Sequence, residues 1–123
     1  MLKKGFKQML AEANAAVESV SVQDLAYLLE DSDVVLVDVR DFVERENDGA
    51  IPGSIHVSRG MLEFKADPDS PAYDEELVPD DRLILYCGTG GRSALAAKTL
   101  LDMGYADVSS LAGGFAAWKA AQE

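Results

Sequence analysis

Apolar residues near the start of the chain recur at the three- and four-residue intervals of a helix. The residues on this face are Leu2, Phe6, Met9, Leu10, Ala13 and Val17. The pattern predicts an amphipathic helix that ends near Glu18. We therefore expect residues 1–19 to form an N-terminal helical extension and residues 20–123 to form one folded domain.

After this helix, short apolar runs alternate with amphipathic segments. The run from Val34 to Arg40 is apolar and β-branched on both faces, as in a buried parallel strand. Further strands are predicted at Val20, Ile55 to Val57, Leu83 to Tyr86 and 106–111. Further helices are predicted from the N-cap Ser21 to Leu29, from Asp41 to Glu46, within 60–65, from Arg92 to Met103 and after Gly113. This alternation predicts an α/β domain whose mostly parallel sheet carries helices on its faces.

The charge of the chain limits the partners that it can bind. The 22 acidic residues outnumber the 11 basic ones, which gives a net charge of −11 at pH 7. Such a field repels nucleic acid and anionic membrane surfaces, so we expect neither as a partner. The N-terminal stretch lacks the apolar segment of a secretory signal, and a single cysteine forms no internal disulfide. These features predict a cytoplasmic protein.

The single cysteine lies in the stretch LILYCGTGGRSALAAK, where Cys87 ends a predicted strand and a helix begins near Arg92. Gly88, Gly90 and Gly91 allow backbone conformations in which consecutive N–H groups point into one concavity. The helix N-terminus adds a positive potential. Both effects lower the pKa of a thiol, so the loop predicts a thiolate nucleophile that needs no general base.

Other roles for Cys87 fit the sequence less well. A cysteine protease needs a histidine that moves the proton, and the only histidine, His56, follows a different predicted strand. We expect His56 to have a structural hydrogen-bonding role. One Cys and one His are too few soft ligands for zinc, so no metal site is predicted. A buried core cysteine would need neither the glycines nor the arginine around it.

Three segments, in this order, resemble the rhodanese family of sulfurtransferases. LVDVRDFVERENDGAIPGSIHV resembles the first family signature, LYCGTGGRSALAAKTLLDMGY the active-site loop with its helix, and LAGGFAAWKAA the closing helix. The resemblance extends from about Val20 to Lys119. Ala50 departs from the pattern, because the family usually has His at that position.

The resemblance implies a single rhodanese-like domain with a five-stranded sheet, and a ping-pong reaction without a cofactor. In that reaction Cys87 takes sulfur from thiosulfate or a similar anionic donor as a persulfide and passes it to cyanide or a thiol. The backbone of Gly88, Thr89, Gly90, Gly91 and Arg92 would cradle the sulfur, and the Arg92 side chain would pair with the donor. Asp38 and Arg40 would be structural residues behind the loop, and Arg59 is a candidate anion contact at the rim.

Alternative functions remain open on the same scaffold. Phosphatases of the related fold space their cysteine and arginine as C-x5-R, whereas Cys87 and Arg92 are spaced as C-x4-R. The loop also resembles that of mercaptopyruvate sulfurtransferases, which usually lack the arginine. A non-catalytic rhodanese-like binding module is the third alternative, although such modules commonly lose the cysteine. We expect a small anionic donor, a thiol or protein acceptor, and a monomer or weak homodimer.

Overall fold

Five strands, all parallel, form one sheet in the computed structural model, which describes residues 1–123. In chain order they are β1 (Glu18–Val20), β2 (Val34–Asp38), β3 (Ile55–His56), β4 (Arg82–Tyr86) and β5 (Asp107–Leu111). Across the sheet the order is β1-β5-β4-β2-β3, which makes β4 the central strand. The α/β class and the parallel five-stranded sheet predicted above are confirmed.

Six α-helices connect and cover these strands. They are α1 (Phe6–Ala16), α2 (Val22–Leu28), α3 (Phe42–Asp48), α4 (Leu62–Ala66), which a 3-10 turn at Arg59–Met61 precedes, α5 (Gly91–Met103) and α6 (Gly114–Ala121). None of them is long and apolar enough to cross a membrane. The first helix ends at Ala16, just before the predicted end near Glu18, because Glu18 to Val20 pair with β5 as an edge strand.

Alternate residues of β4 point to opposite faces of the sheet and build two cores. Leu83 and Leu85 pack with residues of α4 and α5 on one face. Ile84 and Tyr86 pack on the other face with Leu25 of α2 and with α6. Helices therefore cover both faces, as predicted, and the carboxyl ends of β2 and β4 emerge side by side at one edge.

The N-terminal helix α1 packs by only part of its apolar face. Ala13 is fully buried, and Val17 just beyond the helix belongs to the core on the α5 side of the sheet. In contrast, Phe6 and Met9 are 65% and 49% exposed. The predicted amphipathic helix is therefore present, but its first turns leave large apolar side chains in solvent.

Candidate active site

Cys87 lies directly after the last residue of β4, at the carboxyl edge of the sheet. Its side chain is buried, with 1% of the residue exposed. The chain then turns through Gly88 to Gly90, and α5 begins at Gly91. Gly90 has φ +118°, a left-handed conformation that glycine adopts without strain. The central strand thus presents one thiol to the N-terminus of a 13-residue helix.

Three groups of the loop and of the first turn of α5 approach the sulfur atom. The backbone N–H groups of Gly90 and Ser93 donate to Cys87 Sγ at 3.1 and 3.4 Å. The hydroxyl of Ser93 lies 3.5 Å from the same sulfur. Ser93 Oγ is in turn 2.8 Å from Ser110 Oγ of β5. The sulfur therefore accepts from two backbone N–H groups and lies beside a hydroxyl that can donate to it when it is a thiolate.

These donors decide the protonation state of the cysteine. Burial alone raises the pKa of the Cys87 thiol, because the charged form loses its hydration. Hydrogen bonds from the side chain and backbone of Ser93, and from the backbone of Gly90 and Thr89, outweigh burial and lower the pKa below its ordinary value. The positive end of the α5 dipole acts in the same direction. The site therefore favours a nucleophilic thiolate.

The N-terminus of α6 holds the other side of the loop. The N–H groups of Phe115 and Ala116 donate to the carbonyl oxygens of Cys87 and Gly88, at 2.8 and 3.1 Å. Gly114 lies so close to this backbone that a side chain there would overlap it. The helix end satisfies the loop carbonyls, so the loop N–H groups remain free to face the sulfur.

Behind the loop, Asp38 and Arg40 form a buried ion pair. Nε and Nη2 of Arg40 donate to the two oxygens of Asp38 at 3.0 and 2.8 Å. The Tyr86 hydroxyl donates to Asp38 as well, at 3.0 Å. The Arg40 guanidinium lies 4.4 Å from the ring centroid of Phe115, and so connects the end of β2 to α6. The pair contacts the residue before Cys87 and the helix that holds the loop.

Arg92 forms a two-point ion pair with Glu44 of α3. Its Nη1 and Nη2 donate to Oε1 and Oε2 at 2.6 and 2.9 Å. This pair lowers the pKa of Glu44 to about 2 and raises that of Arg92. Gly88 lies under the arginine, since a Cβ there would be 3.3 Å from Nη2. The predicted donor-binding arginine thus lies over the loop with a carboxylate already in its fork.

Arg59 and His56 form their side-chain hydrogen bonds with residues outside the Cys87 loop. The Arg59 guanidinium donates to Glu63 at 2.9 Å and to Thr99 at 3.2 Å, and Thr99 lies about two turns along α5 from Arg92. His56 Nε2 lies 2.6 Å from the carbonyl oxygen of Arg40. Neither side chain forms a hydrogen bond or ion pair with residues 87–92. No group of three or more His, Cys, Asp or Glu side chains could hold a metal ion.

Sequence reasoning missed four residues of the site. Ser93 and Ser110 contact the sulfur or its donor, Glu44 pairs with Arg92, and Gly114 gives the loop room. Ser93 lies in the first turn of α5, directly after the loop. This position at the helix start was the sequence signal that could have placed it near the sulfur. Glu44 and Ser110 carried no local signal of contact with the loop, because they belong to α3 and β5, outside the loop and its helix.

Comparison with known proteins agrees with this geometry. The rhodanese-like domain family matches residues 21–121. Among curated proteins, the thiosulfate sulfurtransferase GlpE of Pseudoalteromonas translucida (strain TAC 125) is 34% identical over 106 residues, which cover 86% of this chain and 92% of that protein. The chain therefore belongs to the rhodanese-like family of sulfurtransferases, and the resemblance read from its three motifs is confirmed.

Solved structures share the whole fold. A protein of unknown function from Rhodopseudomonas palustris CGA009, described as a possible tyrosine phosphatase, has a TM-score of 0.93 and 47% identity, covering 99% of this chain and 94% of that one. The polysulfide-sulfur transferase homodimer of Wolinella succinogenes has a TM-score of 0.76 and 32% identity, covering 95% of this chain and 83% of that one. The first likeness, which covers 99% of this chain, extends over the N-terminal helix.

Proposed function

We propose that this protein is a thiosulfate sulfurtransferase of the rhodanese type, which carries sulfur as a persulfide on Cys87 and passes it to a thiol. The observation that carries the proposal is the pair of backbone N–H groups that donate to one buried sulfur. Gly90 and Ser93 donate to Sγ at the carboxyl edge of the central strand, where parallel sheets bind ligands. Cys87 is the only cysteine of the chain, so it is the only residue that can carry the persulfide.

The first step is attack by the Cys87 thiolate on the outer sulfur of thiosulfate. A bond forms between the two sulfur atoms, and the sulfur–sulfur bond of the donor breaks. Its electron pair leaves with sulfite, so the two charges of thiosulfate depart on sulfite and the negative charge of the thiolate moves to the persulfide. No proton has to move, which fits a site where His56 is bound to the Arg40 carbonyl and not to the cysteine.

The second step returns the enzyme to its resting state. A thiolate acceptor attacks the outer sulfur of the persulfide, and the bond to Cys87 Sγ breaks with its electron pair on Sγ. Donors that stabilise the thiolate in the resting enzyme make it a good leaving group here. The same N–H groups therefore serve both steps, and no cofactor is required. A thiol or a protein persulfide carrier is the acceptor class that this chemistry fits.

Phosphate ester hydrolysis is the second candidate, because the Rhodopseudomonas palustris relative is described as a possible tyrosine phosphatase. The loop length favours sulfur transfer. Cys87 and Arg92 are separated by four residues, one fewer than in the C-x5-R loops that surround a phosphate. Arg92 is also paired with Glu44, and the first turn of α5 is filled by Ser93 against the sulfur. A single sulfur atom fits this smaller ring better than a tetrahedral phosphate.

The proposal is tested by intact mass after incubation with thiosulfate, followed by addition of a thiol. The wild type should gain the mass of one sulfur atom and lose it to the thiol, while Cys87→Ser gains nothing. Aryl phosphate hydrolysis is measured on the same samples and should be negligible. An unmodified wild type that hydrolyses aryl phosphate, with the activity lost in Cys87→Ser, would replace the sulfurtransferase assignment by the phosphatase one.

A further inference from the structure

Glu44 occupies the part of Arg92 that an anionic donor would use. Both carboxylate oxygens accept from the two terminal nitrogens of the guanidinium, at 2.6 and 2.9 Å. This two-point arrangement is the one by which arginine binds carboxylate, phosphate and similar oxyanions. The resting site therefore contains its own anion, supplied by α3.

The position of Glu44 is fixed from several sides. Its Oε1 accepts from the backbone N–H of Asp41 at 3.2 Å, so the residue closes the first turn of α3. The next residue, Arg45, donates to the buried Asp38 at 2.9 Å and anchors that helix to the end of β2. The carboxylate thus lies on a held element, and the Arg92 pair keeps the pKa of Glu44 at about 2. Glu44 therefore remains charged at neutral pH.

The Arg92–Glu44 pair affects which charge on a sulfur donor favours its binding at the loop. The Arg92 guanidinium lies over Gly88 of the loop, and Glu44 neutralises it on the side facing α3. A donor must displace the carboxylate from the fork or share the guanidinium with it. Each negative charge on the donor is repelled by Glu44, so a dianion is disfavoured more than a monoanion of the same shape.

We infer that Glu44 is a specificity-determining residue, which biases the Cys87 site toward sulfur donors with one negative charge, such as thiosulfonates, and against the dianion thiosulfate. This inference rests on the proposed sulfur transfer. Methanethiosulfonate is the matched probe, since a methyl group replaces one charged oxygen of thiosulfate. Attack by Cys87 on its outer sulfur forms the same persulfide, and the electron pair of the broken bond leaves with methanesulfinate.

The experiment compares kcat/KM for thiosulfate and for methanethiosulfonate in the wild type and in Glu44→Gln. The amide oxygen of glutamine can still accept from Asp41 N–H and from Arg92, so α3 keeps its cap while the charge is removed. We expect the ratio of thiosulfate to methanethiosulfonate kcat/KM to rise about tenfold in Glu44→Gln, the size of one charge interaction partly screened by solvent. Thermal unfolding confirms that the variant is folded.

Asp102→Asn is the control for net charge. It removes one carboxylate from α5, the helix that carries Arg92. The Asp102 carboxylate pairs with Lys98, and Asp102 lies about 15 Å along the helix axis from Arg92. Its donor ratio should equal that of the wild type. An unchanged ratio in folded Glu44→Gln, or an equal rise in both variants, overturns the inference while persulfide formation still supports the proposed function. Absence of a Cys87 persulfide from either donor in all proteins overturns both.

Discussion

Gly114 lies against the backbone of Cys87 more closely than any side chain would permit. A Cβ added to Gly114 would be 2.6 Å from the carbonyl oxygen of Cys87 and 2.8 Å from the carbonyl carbon and oxygen of Gly88. Gly114 also has φ +60°, in the left-handed region. The next two residues of α6 donate to the same two carbonyl oxygens. The close approach therefore lets the end of α6 hold the loop from behind.

Gly114→Ala should displace the loop and reduce both stability and sulfur transfer. We expect a loss of about 1–2 kcal/mol from the positive φ and of roughly 1–3 kcal/mol more from overlap with the loop backbone. Gly53→Ala is the matched control, because Gly53 has φ +85° with nothing within 4 Å of an added Cβ. Gly53→Ala should lose only the stability that comes from the positive φ, and it should keep its activity. Urea unfolding and persulfide formation measure the two effects, and equal losses in both variants would show that contact with the loop is unimportant.

Ser93→Ala should raise the pKa of the Cys87 thiol. The hydroxyl of Ser93 lies 3.5 Å from the sulfur and is among the groups that lower this pKa against the effect of burial. Because its thiol pKa is higher, the variant contains less thiolate than the wild type at a pH below that pKa. It should therefore lose persulfide-forming activity mainly in that pH range. We expect kcat/KM to fall about threefold to tenfold at the acid end of the profile and to approach the wild type at high pH.

The pH profile of kcat/KM and the ultraviolet absorbance of the thiolate measure this shift. Ser109→Ala is the control, because the Ser109 hydroxyl is buried on the same strand as Ser110 but has no hydrogen-bond partner. It should leave the profile unchanged. A Ser93→Ala profile that falls by the same factor at every pH would contradict the stabilisation of the thiolate by this hydroxyl.

The features that the sequence predicted are those encoded within a few neighbouring residues. Ser21 caps α2 by accepting from Asp24 N–H at 3.1 Å, and Gly104 ends α5 with φ +111°. Cys87 follows the apolar run of β4 and precedes a glycine turn, so its place at the strand end could also be predicted. Local capping chemistry and strand patterning were sufficient for each of these positions.

The contacts that the sequence did not predict join residues distant along the chain. Arg92 and Glu44 are 48 residues apart and meet only because β4 and β2 are neighbours in the sheet. Ser110 reaches Ser93 because β5 lies on the other side of β4. Neither strand order nor helix position can be derived from hydrophobic pattern alone. That Arg92 pairs with the donor, and that Arg59 contacts an anion at the rim of the site, both stay predictions.

Asp38→Asn should destabilise the fold by leaving the buried Arg40 without its carboxylate. Asp38 and Arg40 are 0% and 1% exposed, and loss of one partner of such a pair costs about 3–5 kcal/mol. Burial raises the pKa of Asp38, but hydrogen bonds from Arg40 and Arg45 outweigh it and hold the pKa below 3.8. The contribution of Asp38 to stability is therefore complete at pH values above its pKa in the unfolded chain. It is lost as the pH falls through the lower pKa of Asp38 in the folded protein.

Urea unfolding of the wild type and Asp38→Asn across pH tests this linkage. The difference in unfolding free energy should be largest at neutral pH and should narrow as the pH falls below about 4. Asp102→Asn, whose carboxylate is exposed and paired with Lys98, should match the wild type closely throughout. A constant difference between wild type and Asp38→Asn at all pH values would mean that the charge of Asp38 does not act through its folded pKa.

Arg92→Ala should weaken sulfur uptake from thiosulfate more than discharge to a neutral thiol. Removal of the arginine takes away one charge-assisted contact, worth about 1.5–3 kcal/mol, and so lowers kcat/KM for thiosulfate about tenfold to a hundredfold. It also leaves Glu44, its partner at 2.6 Å, as an unpaired negative charge beside the loop. The double variant Arg92→Ala with Glu44→Gln should therefore recover part of the loss. Single-turnover measurements separate sulfur uptake from discharge. Unchanged thiosulfate kinetics in Arg92→Ala would show that the arginine pairs with Glu44 of α3 but does not bind the donor.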